Sequence, residues 1–139
     1  MIEQRRQAIR DYAYKMVGKS FNWGVVDCHT LAVDVFYLIT NIDKRALVYE
    51  RYSNAKEALA YSALNGGFEK AVLGEHSQRK PNGGETIGDF LISISPDGNE
   101  QVHICIGGSV LTCDEKKGVR LHPLSAYKNC YNYMVVCSK

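Results

Sequence analysis

The 139-residue sequence predicts one α+β domain, residues 1–139, with helices first and an antiparallel β-meander after them. Three observations lead there. Apolar residues recur at helical spacing through the first half. A polar stretch rich in Gly and carrying Pro81 separates the halves. The second half alternates apolar and polar residues in short runs cut by turn residues.

The helices follow from their stop and start signals. Residues 3–17 place Ile9, Tyr12, Ala13 and Met16 on one face, and Gly18 ends the helix. After the aromatic loop Phe21-Asn22-Trp23-Gly24, Asp27 can cap a helix from Cys28 to about Thr40. Its apolar residues cover most of the circumference, so a central, buried helix is expected. Ser53 is the expected cap of a third helix through Leu64, which Gly66-Gly67 ends. Residues 74–88 read as a surface loop.

The strands follow from period-two alternation. Asp89–Ser95 is the first, and Pro96-Asp97-Gly98-Asn99 turns the chain. Gln101–Gly107 comes next, with Gly108-Ser109 as a two-residue hairpin turn. Val110–Glu115 returns, Lys116-Lys117-Gly118 turns again, Val119–Leu121 continues, and Tyr131–Cys137 closes the set.

Composition removes several functions. With 17 basic and 15 acidic residues the formal charge is +2, too small to suggest nucleic-acid binding. The longest apolar run, Leu31–Thr40, contains Asp34 and is too short for a membrane span. The N-terminal residues are charged with no apolar core behind them, so no signal peptide is expected and synthesis is expected in a cytoplasm. Five cysteines, an odd number with no Cys-x-x-Cys pair, suggest neither a disulfide framework nor a zinc knuckle. Cys105, Cys113, Cys130 and Cys137 alternate with apolar residues and read as small buried side chains.

Cys28 differs from those four. It stands at the first turn of the buried helix, where N–H groups and the helix dipole favour a thiolate. That is the form nucleophilic catalysis uses. His29 is a poor base for it on spacing alone, since helical neighbours point about 100° apart. His103 is the candidate base, sharing a strand face with Gln101 and Cys105. A Gly108-Ser109 turn pairs Gly107 with Val110, and hence His103 with Asp114. Asp114 is then the expected orienting residue, with Thr112 and His122 as alternatives. Cys28 and His103 supply two ligands where a stable zinc site wants three or four, so neither metal nor cofactor is expected.

Three segments carry a family resemblance: Phe21-x-Trp-Gly-x-x-Asp-Cys-His-Thr-Leu-Ala, then Ile87-Gly-Asp-Phe-Leu-Ile, then His103-Ile-Cys-Ile-Gly-Gly before a hairpin. Together they resemble the nucleophile and histidine segments of NlpC-type peptidases and amidases, over about residues 19–40 and 85–125. Residues 41–84 and the Gly-Val-Arg-Leu-His-Pro-Leu stretch resemble the short variants of tailed bacteriophages.

The resemblance implies a papain-like NlpC-type fold, with N-terminal helices on a β-meander or half-barrel. It implies a Cys28–His103–Asp114 site flanked on the substrate side by Phe21, Trp23, Asp27 and Gln101. It also implies cleavage of an amide bond in peptidoglycan stem peptides by a virion tail protein that meets other tail-tip proteins. The sequence departs from the family in two ways. Phe21 stands where the family has Tyr, so it cannot donate to an oxyanion. His103 lies about two residues nearer the Gly turn, so alignment by the turn puts Gln101 in the histidine's place. A structural tail-tip protein without turnover is the alternative reading.

Overall fold

A computed structural model describes residues 2–136. Helix α1 (Ile2–Met16) buries Ile9 and Ala13, and its Tyr12 hydroxyl reaches the Asp34 carboxylate at 2.5 Å. Helix α2 (Cys28–Thr40) runs through the middle of the molecule and buries Leu31, Ala32, Val33, Val35, Phe36 and Ile39. Asp27 and Thr30 start it with a reciprocal capping box, and Asn41 ends it in the left-handed conformation at φ 61°. Helix α3 (Ala55–Leu64) is capped by Asn54, one residue later than expected. Ser53 instead donates its N–H and hydroxyl to the Glu57 carboxylate, so the two residues divide the capping work.

Six strands form one antiparallel sheet: β1 (Ser77–Lys80), β2 (Phe90–Ile94), β3 (Glu100–Cys105), β4 (Ser109–Asp114), β5 (Gly118–Pro123) and β6 (Tyr131–Val135), in the order β1-β6-β2-β3-β4-β5. The helices lie against one face, where Phe90, Ile92, Val102, Ile104, Leu111 and Val119 join the α2 residues in the main core. Each fully buried side chain of that kind contributes about 1.5–3 kcal/mol. A smaller cluster of Leu91, Val110 and Cys130 lies on the opposite face, under the short helical turn Leu124–Tyr127.

Three sequence expectations change. Residues 77–80 form an edge strand paired with β6 where a loop was expected; Ser-Gln-Arg-Lys has no apolar alternation to reveal it. A π-helical turn, Glu69–Leu73, follows α3 and buries Val72 and Leu73. The third change is the β3–β4 register. Ile106 and Ser109 bracket the turn, with the Ile106 N–H donating to the Ser109 carbonyl at 2.8 Å, and Gly107 takes the left-handed conformation at φ 92°. Cys105 therefore opposes Val110, two residues away from the expected pairing. Cys105 and Cys130 are buried and Cys113 is partly so; Cys137 lies outside the described residues.

Candidate functional site

The chain enters α2 through a closed loop. Asn22 and Val26 exchange backbone hydrogen bonds of 2.9 and 2.8 Å, which folds Trp23-Gly24-Val25 into a tight turn. Gly24 sits at φ 75°, and a Cβ there would lie 2.5 Å from the Tyr52 carbonyl. The motif's glycine is therefore required by backbone crowding.

Asp27 is 3 % exposed and its carboxylate is fully engaged. Oδ1 accepts the Thr30 N–H, and Oδ2 accepts the Gly24 N–H and the Tyr52 hydroxyl, all at 2.8 Å. The sequence placed Asp27 on the substrate side; its geometry makes it the buried brace of the nucleophile segment. Tyr52 went unnoticed in the sequence because nothing in its local pattern marks it. Burial and then the Asp27 charge drive its hydroxyl well above the usual tyrosine range, so it remains a donor. Phe21 and Trp23 meet edge-to-face at 4.7 Å, and Trp23 meets Tyr52 at 6.3 Å.

Cys28 is the first residue of α2 and lines a cleft of about 700 Å³. Phe21, Trp23, His29, Gln101 and His103 line the same cleft. Gln101 is exposed on β3, opposite Ser93.

His103 does not meet Cys28 in the expected way. Alternation along β3 turns Val102 and Ile104 into the core under α2 and sends His103 to the other face. There its Nδ1 bonds Thr112 Oγ1 at 2.8 Å, its Nε2 bonds Ser93 Oγ at 3.3 Å, and its ring lies 4.6 Å from Tyr127. Burial, and then repulsion from His122, hold the imidazole down at about 4. It is neutral at pH 7 and both nitrogens are occupied. Among the described residues, no hydrogen bond joins it to Cys28.

The two-residue register shift also removes Asp114 from His103. A two-residue shift keeps the strand face, so Thr112 takes the place expected for Asp114. Asp114 is exposed and accepts the N–H groups of Lys116 and Lys117 at 2.7 and 3.1 Å, which closes the β4–β5 turn and lowers its own carboxyl pKa. His122 bonds the Tyr127 hydroxyl at 2.7 Å.

His29 follows Cys28 in α2 and lines the same cleft. Its Nε2 lies 2.9 Å from the Glu100 carbonyl, and its ring stacks on Phe68 at 5.3 Å. The Glu100 carboxylate in turn accepts the Phe68 N–H. Burial alone would depress the imidazole. The Cys28 charge and hydrogen bond, the Asp27 carboxylate and the Glu100 carbonyl outweigh it and raise the ring to about 9.

Cys113, on β4, sits behind the pair. Its Sγ points to the Val26 carbonyl at 3.7 Å, and burial followed by the Cys28 charge pushes its thiol up to about 12. Desolvated in this way, Cys113 stays a protonated thiol beside Cys28. Among the described residues, no group of three or more His, Cys, Asp or Glu side chains could hold a metal ion, and no helix is long and apolar enough to cross a membrane.

No curated protein matches this sequence. A family model described as a domain of unknown function (DUF6950) matches residues 1–133. The chain, with its capped Cys28 at the mouth of the cleft, belongs to that family.

Proposed function

We propose that this chain is a cysteine hydrolase of the NlpC type, with a papain-like arrangement of helix and sheet, that cleaves an amide bond in peptidoglycan stem peptides. One observation carries the reading: Cys28 begins a capped, buried helix, opens into the 700 Å³ cleft and interacts with an imidazole. The thiolate attacks the amide carbonyl, the amine departs, and water releases the acyl group from sulfur. Phe21 has no hydroxyl for an oxyanion. The first N–H groups of α2, which have no acceptor within the helix, supply the donors instead. The choice of peptidoglycan and of a phage tail rests on the sequence resemblance.

A second reading has one observation in its favour. The strand histidine expected to serve as base is neutral and held by two hydroxyl groups. A tail-tip structural protein that has lost turnover would show the same.

Zymography on cell walls separates the two. The hydrolase reading expects clearing by the wild-type chain and none by Cys28→Ala. Equal clearing by both removes Cys28 from the mechanism. Iodoacetamide at pH 6 provides the companion test, because only a cysteine with a low pKa reacts quickly there. A Cys28 no more reactive than the other cysteines favours the structural role.

A further inference from the structure

We propose that His29, which lines the Cys28 cleft with its Nε2–H held by the Glu100 carbonyl and its Nδ1 left over, is the acid–base partner of the nucleophile, in place of His103. This assignment rests on the hydrolase reading above and names the second residue of its site.

A carbonyl oxygen can only accept, so the Nε2 that lies 2.9 Å from Glu100 must carry a hydrogen. In the neutral ring the lone pair is then on Nδ1, the nitrogen left for the Cys28 thiol. The backbone carbonyl does for His29 what a third side chain does in a triad: it fixes tautomer and orientation. His103 has no such bias. Its two partners are hydroxyl groups, which donate or accept equally well, and neither nitrogen is left open.

The support around His29 belongs to one assembly. Glu100 holds the imidazole through its carbonyl and the Phe68 backbone through its carboxylate, while the Phe68 ring forms the shelf beneath the imidazole. A ring stacked on one side and bonded at one nitrogen has little rotational freedom, which is what a positioned base needs. The charged and titratable groups facing the pair are Asp27 and Tyr52 beside Cys28, Glu100 from β3 and Cys113 from β4.

The chemistry balances on these atoms. The Cys28 thiol gives its proton to His29 Nδ1, and sulfur bonds the carbonyl carbon. The C–N bond breaks, and the amine leaves carrying that proton from His29. Water then adds to the thioester and passes a proton to Nδ1, and the sulfur leaves and is reprotonated. One amide and one water become one acid and one amine.

The test begins with the unmutated chain, so it does not depend on a variant folding. Nitrogen NMR of the histidine rings is expected to show His29 protonated on both nitrogens at pH 7, and mostly neutral in Cys28→Ser. A His29 ring that is neutral at pH 7 in the intact chain overturns the assignment. Alkylation by iodoacetamide at pH 6 is expected to slow about tenfold or more in His29→Gln, which has no imidazole to take the thiol proton. His103→Gln is expected to leave the rate unchanged; the reverse pattern overturns the assignment.

Cell-wall clearing distinguishes this failure from failure of the hydrolase reading. Clearing lost in Cys28→Ala but kept in His29→Gln preserves the hydrolase and overturns the His29 role. A doubly protonated His29 with no clearing by the intact chain preserves the thiolate–imidazolium pair and ends the hydrolase reading.

Discussion

The Nδ1 of His103 and the Oγ1 of Thr112 lie 2.8 Å apart at the point where the β3–β4 ladder stops. The last paired residues are Ile104 and Leu111, and beyond them the strands are joined by this side-chain bond. His103 is 6 % exposed, so its neutral ring is part of the fold.

That burial predicts a pH dependence of stability. The His103 pKa falls from the ordinary 6.5 in the unfolded chain to about 4 in the folded one. Between those values the unfolded chain binds more protons, so the contribution is intact above 6.5 and is lost as the pH drops to 4. The loss attributable to His103 is about 3 kcal/mol by the pKa conversion. Urea unfolding of wild type and His103→Gln at pH 7 and pH 4.5 measures it. The variant is expected to lose less stability between the two; parallel losses would refute the account.

Asp27 predicts a ranked pair of stability effects. Asp27→Ala removes the helix cap and orphans the Tyr52 hydroxyl and the Gly24 N–H, for a cost of about 3 kcal/mol or more. Tyr52→Phe removes one donor and costs about 1–3 kcal/mol. Denaturant midpoints report both, and a larger effect from Tyr52→Phe would contradict the bracing role.

Gly24→Ala tests the motif's backbone requirement. The residue holds φ 75°, and its new Cβ would lie 2.5 Å from the Tyr52 carbonyl, so strain and a collision with backbone act together. Destabilisation of about 2 kcal/mol or more is expected, with reduced alkylation of Cys28 as the helix start shifts. Gly108→Ala is the control, because nothing lies within 4 Å of its Cβ position. Equal melting shifts for the two would refute the crowding argument.

The Gly88-Asp89 motif has a structural reading of the same kind. Asp89 is buried, accepts the Thr86 N–H at 2.9 Å and pairs with Lys80 Nζ at 2.7 Å. This bond ties the edge strand β1 to the start of β2. Lys80→Met leaves a buried carboxylate without its cation, at an expected cost of about 3–5 kcal/mol in urea unfolding. Lys80→Met together with Asp89→Asn is expected to recover part of it. A single variant as stable as wild type would show that the pair contributes nothing.

Where sequence and structure agree, the signals are local. The apolar spacing of residues 3–17 and 28–40, the Asp27 cap and the alternation of five runs in the second half all describe contacts within a few residues. Where they part, the deciding contact comes from elsewhere in the chain. Strand β1 exists because β6 supplies its partners, and Tyr52 matters because it reaches across 25 residues to Asp27. Spacing alone turns His29 away from Cys28; what holds its ring at the helix end is Glu100, 71 residues away, and Phe68.

By itself the sequence determined the order of helices and strands and singled out Cys28, because capping and periodicity are properties of neighbouring residues. Only the tertiary structure decided what surrounds His29 and His103. A two-residue change at a glycine turn swaps Asp114 for Thr112, and strand alternation puts His103 on the face away from α2. Both depend on how distant strands and helices pack, which local sequence leaves open.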